Sequence, residues 1–508
     1  MALRRTSETD ACPGALRLHA AADGMLARVR LPGGRLTGAQ LRSLRSMAAE
    51  FGDGALELTS RANLQLRGLA PSDATALADR LRSAGLLPST THDNVRNIAA
   101  PPLPDRWSRA LVDELDRAIL ADPALPALPG KFLFAIGHVP LAADVAAIPA
   151  APTGTSTSTD SATPTPGDTP AVSGGVPFGE SGGQVVGSEF TVRFAGHDTG
   201  IRVAAGQVVP VLIAAAHAFL AERSAQRGDG AAAWRLRELT DGPARVSGRV
   251  VAALGLVPVP VEVAVPVAAA EPGDLIGIVP QDDGLVAVAG LVPLGRLTGV
   301  QLKVLEEADH LVVTPWRGVL VSDLPPETAQ TWADRLAGAG LAVTPGSAWS
   351  GVTSCAGQPG CARSLADVRA DAVAAARFVD GLPVHWAGCA RACGSPAGPH
   401  VLAEATTGGY LVTRRLTAGG PAVPVTAADD GRGPGAESGP GAGNGLGTGN
   451  GPGTGGGPGR GGGPGGESGL VGPSTPAVGS LRIGGAGSVT GDPGSSGLGD
   501  VVAVARRL

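Results

Sequence analysis

Apolar and polar residues alternate through Asp23-Gly-Met-Leu-Ala-Arg-Val-Arg-Leu, which predicts a strand. Pro-Gly-Gly follows as a turn, and from Leu36 to Glu50 the apolar spacing becomes helical, opening at Thr37. The run from Ala55 to Leu69 is strand-like at both ends, and Ser72 to Ala84 reads as a helix capped by Gly85. The pattern is a β-α-β-α unit over residues 23–88.

The unit occurs twice. Gly34-Arg-Leu-Thr-Gly-Ala-Gln-Leu is answered by Gly295-Arg-Leu-Thr-Gly-Val-Gln-Leu, and Ala78-Asp-Arg-Leu-Arg-Ser-Ala-Gly-Leu by Ala333-Asp-Arg-Leu-Ala-Gly-Ala-Gly-Leu. Two matches in the same order mark an internal duplication with a long period. The second copy covers 283–345. Residues 92–270 form a longer α/β segment between the copies, and 349–415 follow the second copy.

Composition changes the picture in two places. The chain of 508 residues holds 78 glycines and 43 prolines, concentrated in a Thr/Ser/Pro/Gly insertion at 149–188 and a Gly/Pro-rich tail at 419–499. Neither can bury enough apolar surface to order itself, so both are expected to be disordered and dispensable. The last segment, 500–508, reads as a strand that docks or as a free end. Val250 to Ala270 is long and apolar but carries Pro258, Pro260, Pro266 and Glu262, which predicts strands and turns in a core and no membrane span. Met-Ala-Leu-Arg-Arg-Thr-Ser-Glu-Thr-Asp lacks the apolar stretch of a secretory signal, and the expected location is cytoplasmic. Net charge is −5 with basic residues scattered singly, so the expected partners are small molecules, with no nucleic acid and no membrane.

Four of the five cysteines lie between Thr353 and Cys393. Cys355 and Cys361 flank Ala-Gly-Gln-Pro-Gly, a loop whose glycines and proline let both sulfurs fold around one small object. About two dozen residues, read as helical, separate them from Cys389 and Cys393, whose spacing puts both on one face of a helix. The set fits a tetrahedral zinc or a cubane iron–sulfur cluster, and the wide spacing favours the cubane. Cys12 stands apart as a spare or buried thiol.

Arg61, Asn63, Gln65 and Arg67 alternate, so on an extended segment they share a face: either a solvated outer face or the wall of a polar site. Asp93-Asn-Val-Arg-Asn reads on its own as a loop with an Asx-turn. Lysine is scarce, with only Lys131 and Lys303 in the chain.

The cysteine spacing C-x5-C…C-x3-C resembles that of the sirohaem nitrite and sulfite reductases and their relative precorrin-3B synthase. The duplication resembles the same family, which implies an α+β, internally duplicated nitrite/sulfite reductase-like fold: ferredoxin-like half-domains (23–88, 283–345) alternating with larger α/β domains (92–270, 349–415). By that resemblance a 4Fe-4S cluster is held by Cys355, Cys361, Cys389 and Cys393. Thr59-Ser-Arg-Ala-Asn-Leu-Gln is similar to the family's T-x-R-x-N-x-Q, which puts Arg61, Asn63 and Arg67 at the substrate. Val95-Arg-Asn does the same for Arg96 and Asn97, and Leu128-Pro-Gly-Lys-Phe-Leu, similar to L-P-R-K-F-K, for Lys131. Arg317, in the second copy's counterpart of the Thr59 run, is a further carboxylate clamp.

Where the reductases have a second lysine this chain has Leu133, placed by a strand reading beside Lys131. Reducing a small oxyanion needs several cations and proton donors, so the leucine favours the synthase: oxygen-dependent hydroxylation of precorrin-3A with γ-lactone formation. That reading implies precorrin-3A and dioxygen as partners, an electron donor (an NADH-linked reductase or ferredoxin), and a mononuclear non-haem iron whose ligands no histidine spacing reveals. The alternatives are a sirohaem-dependent nitrite or sulfite reductase and a non-catalytic metal-binding protein.

Overall fold

The repeated Gly-Arg-Leu-Thr run is where the two copies exchange strands. Arg35–Thr37 of the first pairs antiparallel with His310–Val313 of the second, and Arg296–Leu297 of the second pairs with Leu56–Leu58 of the first. The computed structural model describes residues 12–103, 106–150, 189–227, 232–261, 275–396, 398–416, 423–424, 482–483 and 497–507.

The first copy consists of β1 (His19–Ala21), β2 (Gly24–Val29), β3 (Arg35–Thr37), α1 (Gly38–Phe51), β4 (Leu56–Leu58), β5 (Leu64–Leu69) and α2 (Ala74–Ser83). The unit after it consists of β6 (Ile98–Ala99), α3 (Arg106–Ala121), β7 (Phe134–Ile136), β8 (Val145–Pro149), β9 (Glu189–Phe194), β10 (His197–Ala204), α4 (Ala205–Ala225) and α5 (Gly242–Leu254). The second copy holds β11 (Gly277–Pro280), β12 (Val286–Leu291), β13 (Arg296–Leu297), α6 (Gly299–Leu305), β14 (His310–Val313), β15 (Gly318–Leu324) and α7 (Ala329–Gly338). The last unit holds β16 (Val352–Ser354), α8 (Val368–Ala374), β17 (Val384–Ala387), β18 (His400–Thr406), β19 (Gly409–Arg415), β20 (Val423–Pro424), β21 (Arg482–Ile483) and α9 (Leu498–Arg507).

Strand exchange makes the two half-domain sheets β1-β2-β5-β4-β13 and β11-β12-β15-β14-β3. One apolar core runs through both, with Leu44, Leu64, Leu305 and Val321 all fully buried. The Thr-Gly-x-Gln of each run turns the exchanged strand into a helix: Gln40 N–H donates to Thr37 Oγ1 (3.2 Å) and Thr37 N–H to Gln40 Oε1 (3.0 Å), and Thr298 N–H donates to Gln301 Oε1 (2.8 Å). Gly38 is needed for closeness, because a Cβ there would lie 2.2 Å from the Ala308 carbonyl oxygen.

In the 92–261 region the sheet order is β10-β9-β8-β7-β6, with β6, β7 and β8 parallel. The expected insertion at 149–188 leaves from β8 and returns on its antiparallel neighbour β9; from 151 it lies outside the described residues. α4 is long and apolar enough to cross a membrane by length and composition, yet half of that window is buried inside the fold. The expected strands and turns at 250–270 are corrected where described: Val250 to Leu254 end α5, and Val257 is 87% exposed, not core.

The last unit's sheet runs β16-β17-β18-β19-β20, with β21 also pairing β19 and the first three strands parallel. Two expectations change here. Of the tail at 419–499 only 423–424, 482–483 and 497–499 are among the described residues: Val423–Pro424 and Arg482–Ile483 pair with β19, and α9 begins at Leu498. Of the segment 500–508, residues 500–507 are helical, not a strand, because α9 turns Val501, Val502 and Ala505 into the core of this sheet while Asp500 and Arg507 stay at its ends; residue 508 lies outside the described residues.

Candidate active site

Cys355 follows β16 directly and Cys389 follows β17 by one glycine. The two strands are parallel neighbours, so both cysteines leave the sheet's carboxyl edge together, the edge at which open α/β sheets bind ligands. Cys355 N–H donates to the Trp386 carbonyl (2.9 Å), and Gly388 N–H donates to Cys355 Sγ (3.2 Å). The loop to Cys361 is held by Gln358, whose N–H donates to the Ala366 carbonyl (3.0 Å) and whose Nε2 donates to the Ser364 carbonyl (2.8 Å).

The helical expectations for this region are corrected. The interval between the cysteine pairs contains only the seven-residue α8, followed by β17. Cys389 and Cys393 sit in successive turns, with Ala392 N–H donating to the Cys389 carbonyl (3.0 Å) and Ala392 at φ 43°. Glycine interrupts both ends of that run, and turns aim the sulfurs where a helix would have lined them up.

The donor set suits a cluster better than a single ion. Partial burial raises the Cys393 thiol above its ordinary value, and Cys355, Cys389 and Cys361 push it the same way, so the four sulfurs share one electrostatic neighbourhood. Among the described residues no three His, Cys, Asp or Glu side chains converge closely enough to hold one metal ion. A cubane spreads its four thiolates more widely than one zinc does, and N–H···S bonds such as that of Gly388 are usual around it. The same finding means that the described donors do not fit a mononuclear non-haem iron. Gly388 allows the fit: a Cβ there would lie 1.9 Å from Ser364 Oγ. Gly388→Ala should therefore displace Cys389 and lower the iron bound per chain several-fold with unchanged far-UV circular dichroism, checked by iron analysis of anaerobically purified protein.

The cysteine loop docks on the first half-domain through Arg67. Its guanidinium pairs with both Asp23 oxygens (2.8 Å each) and donates to the Gly360 carbonyl (2.6 Å). A second tie joins Arg369 to the buried Glu57. Arg67, expected at the substrate, is thereby engaged in holding the cysteine loop.

The run Thr59 to Arg67 is not continuously extended, so Arg61 and Asn63 do not share a strand face with Gln65 and Arg67. Thr59 N–H donates to the Asn63 carbonyl (2.9 Å), and Ala62 turns at φ 55°, closing a loop before β5 begins. Thr314 to Gly318 repeats this loop: Thr314 N–H donates to the Gly318 carbonyl (2.9 Å), with Arg317 at φ 61° in the place of Ala62. Each loop reaches a different neighbour. Arg61 Nη1 donates to the Lys131 carbonyl (3.2 Å), and Arg317 Nη1 donates to the Ser354 carbonyl (3.0 Å), next to Cys355. Burial lowers the Arg317 guanidinium from its usual value, an effect that Glu57 and Cys355 oppose.

The other expected substrate residues are tied into the fold. Asn63 Oδ1 accepts from Leu31 N–H (2.8 Å), and Asn97 Nδ2 donates to the carbonyls of Gly130 (2.6 Å) and Phe132 (3.2 Å). Arg96 is paired through two bonds with Asp116 (2.8 and 2.7 Å). Lys131 lies in a turn with its Nζ 4.7 Å from the centre of the Trp234 ring. Leu133 does not share its space: that side chain is buried, and its N–H donates to Asp144 (2.8 Å).

Sequence reasoning missed three residues here. Arg235 is buried against Asp144 (3.1 Å) and donates to the Lys131 carbonyl (2.7 Å). Arg30, on the segment leaving β2, is 2% exposed, and its charge is felt by Arg28 and Arg61. His385 is fully buried with its Nδ1 2.9 Å from Thr353 Oγ1, and burial beside Arg317 lowers its pKa to about 3, so it is neutral. The signal for Arg30 was present in Arg28-x-Arg30 ahead of Pro-Gly-Gly; nothing local marks the other two.

Residues 19–84 match the Nitrite/Sulfite reductase ferredoxin-like half domain. The chain is 28% identical over 414 residues to a ferredoxin–nitrite reductase of Synechococcus elongatus, covering 73% of this chain and 74% of that one. It is 26% identical over 417 residues to a precorrin-3B synthase of a Sinorhizobium species, covering 79% and 81%. The solved structure of the NirA protein of Mycobacterium tuberculosis superposes with a TM-score of 0.59 at 20% identity, over 77% of this chain and 73% of that one. The fold is nitrite/sulfite reductase-like.

Proposed function

We propose that the protein is a precorrin-3B synthase, a cytoplasmic oxidoreductase that hydroxylates precorrin-3A with dioxygen and closes a γ-lactone from one of its carboxylate arms. The observation that carries this reading is Leu133: the resemblance puts the reductases' second lysine at this position, and here an apolar side chain stands there, buried at 2% exposure and away from Lys131, so no ammonium is supplied from it. A donor missing there weakens reduction of nitrite or sulfite, which consumes protons at every step. It costs nothing for a large substrate carrying many carboxylates. The similarity to a precorrin-3B synthase over 81% of that protein's length supports the same choice.

Cys355, Cys361, Cys389 and Cys393 would hold a 4Fe-4S cluster, which when bound supplies one-electron transfer from a donor such as ferredoxin. Putting one oxygen atom of dioxygen into the substrate requires two electrons and two protons, which leave with the second oxygen atom as water. The protein's own part is to bind and orient. Arg61, Lys131 and Arg317 would supply cationic groups suited to carboxylates; the carbonyls of Lys131 and Ser354 hold two of those guanidinia in place. No step is assigned to a mononuclear iron or to sirohaem.

The test is one anaerobic preparation given precorrin-3A with and without oxygen, and separately sulfite or nitrite with a chemical reductant. Oxygen-dependent loss of precorrin-3A, slowed about tenfold or more by Lys131→Ala, with no turnover of either oxyanion, is the expected result. Rapid oxyanion turnover by protein containing sirohaem would hand the assignment to the reductase reading.

A further inference from the structure

We propose that Arg317 is a fixed cation in the wall of the cysteine site and that its charge eases reduction of the cluster held there. The cluster itself rests on the reading above; the placement of Arg317 rests on its own contacts.

Arg317 belongs to the second half-domain, yet its side chain ends between the two cysteine segments. Its Nη1 donates to the carbonyl of Ser354 (3.0 Å), the residue before Cys355. Its Nη2 lies where only a glycine leaves room at the other segment, since a Cβ on Gly394, the residue after Cys393, would come within 2.7 Å of it. Gly295 clears space for the stem in the same way: a Cβ there would lie 2.6 Å from Arg317 Cδ. Two glycines from distant parts of the chain thus admit one guanidinium, and they admit it to residues flanking two of the four sulfurs. The backbone is bent to the same end. Arg317 sits at φ 61°, a left-handed conformation that a residue with a Cβ adopts only at a cost and that persists where the surroundings hold it.

The charge is not neutralised by the nearest buried carboxylate. Arg317 feels the charges of Glu57 and Cys355, but Glu57 is engaged by Arg369 and by Gln65 Nε2. The hydrogen bond of Arg317 goes instead to a carbonyl, which carries no formal charge.

Reduction adds one negative charge to a site already lined by thiolates. The potentials of such clusters follow net charge, hydrogen bonds to sulfur and exposure to solvent, and a cation held out of water acts more strongly than an exposed one. Arg317 therefore stabilises the reduced form more than the oxidised form. The donor gives up one electron, the cluster accepts it, and the guanidinium keeps its proton throughout.

The test is a redox titration of anaerobically purified protein, followed by the reduced-state EPR signal. Because Arg317 is also offered to substrate carboxylates, the titration is run without substrate. At a fixed solution potential the ratio of reduced to oxidised cluster should fall tenfold or more in Arg317→Met and Arg317→Gln, which for a one-electron couple lowers the midpoint by about 59 mV or more. The glutamine keeps a donor for the Ser354 carbonyl and so separates charge from hydrogen bonding. Arg317→Lys, which keeps the charge without the fork, should lie between these variants and the wild type.

Midpoints of the two neutral variants equal to that of the wild type, with the cluster intact, would refute the inference and leave the cluster reading standing. Loss of iron from both neutral variants but not from Arg317→Lys would support it, because charge then decides whether the site can hold its cluster. Loss of iron from all three would make Arg317 a structural residue and refute it. A wild type that binds no cluster would sink the reading above and this inference with it.

Discussion

Replacing any one of Cys355, Cys361, Cys389 or Cys393 with serine should remove the visible absorption and the reduced-state EPR signal of the anaerobically purified protein, whereas Cys12→Ser should keep both. Serine is a poor ligand for a cubane, and a cluster held by three thiolates is readily lost. Cys355 and Cys389 leave neighbouring parallel strands at one sheet edge, Gly388 N–H donates to Cys355 Sγ (3.2 Å), and the Cys393 thiol is pushed up by the charges of Cys355, Cys389 and Cys361. Cys12 lies instead in the N-terminal segment, where its carbonyl accepts from Arg17 (3.3 Å). Bleaching by Cys12→Ser, or an intact spectrum after one of the four replacements, would mean that the ligand set is wrong. With the cluster go both electrons of the proposed reaction, so loss of turnover should be complete, not partial.

The four cysteines could be singled out because spacing is a local property, and the structure brings Cys355 and Cys389 to one sheet edge. Both helix starts were legible too, since Thr-Gly-x-Gln carries its own cap. The duplication was legible as repeated text, but not the strand exchange it encodes, because β3 and β13 are only three and two residues long and pair about 275 and 240 positions away. The loop at 59–63 was hidden for a different reason. Alternation of Arg61, Asn63, Gln65 and Arg67 satisfies a strand pattern, yet Thr59 bonds across the loop and Ala62 adopts a left-handed conformation that no residue type there announces. Arg67 and Arg96 read as free cations in sequence because their partners, Asp23 and Asp116, lie 44 and 20 residues away. Motif position singles out the arginines; only tertiary contacts show that Arg67 and Arg96 are committed to ion pairs within the fold.

The terminal helix gives the sharpest departure from what composition implies. A Gly/Pro-rich tail invites the conclusion that everything beyond residue 419 can be removed, but α9 is a working part of the cysteine unit. Val501, Val502 and Ala505 pack into the core with Val384, Trp386 and Val401. Arg506 is buried and donates to the carbonyls of Leu382 (2.7 Å) and Ser350 (3.0 Å), while its own carbonyl accepts from Leu382 N–H (2.8 Å). Gly381 permits this contact, since a Cβ there would lie 2.2 Å from the Arg506 carbonyl oxygen.

The sequence Asp-Val-Val-Ala-Val-Ala-Arg-Arg favours a strand by its β-branched residues, and packing overrides that preference. Two buried valines contribute roughly 3–6 kcal/mol and the charged hydrogen bonds of Arg506 roughly 1.5–3 kcal/mol each. That total is comparable to the ~5–15 kcal/mol that holds a whole domain folded. Stopping the chain after residue 496 should therefore unfold the cysteine unit: iron content should fall to background and proteolysis should reach the 349–416 region, while the half-domains stay resistant. Arg506→Met, which keeps the packing and removes the charged donors, should show an intermediate loss of Tm. A truncated chain that retains its cluster and its melting temperature would show that α9 rests on the sheet without supporting it.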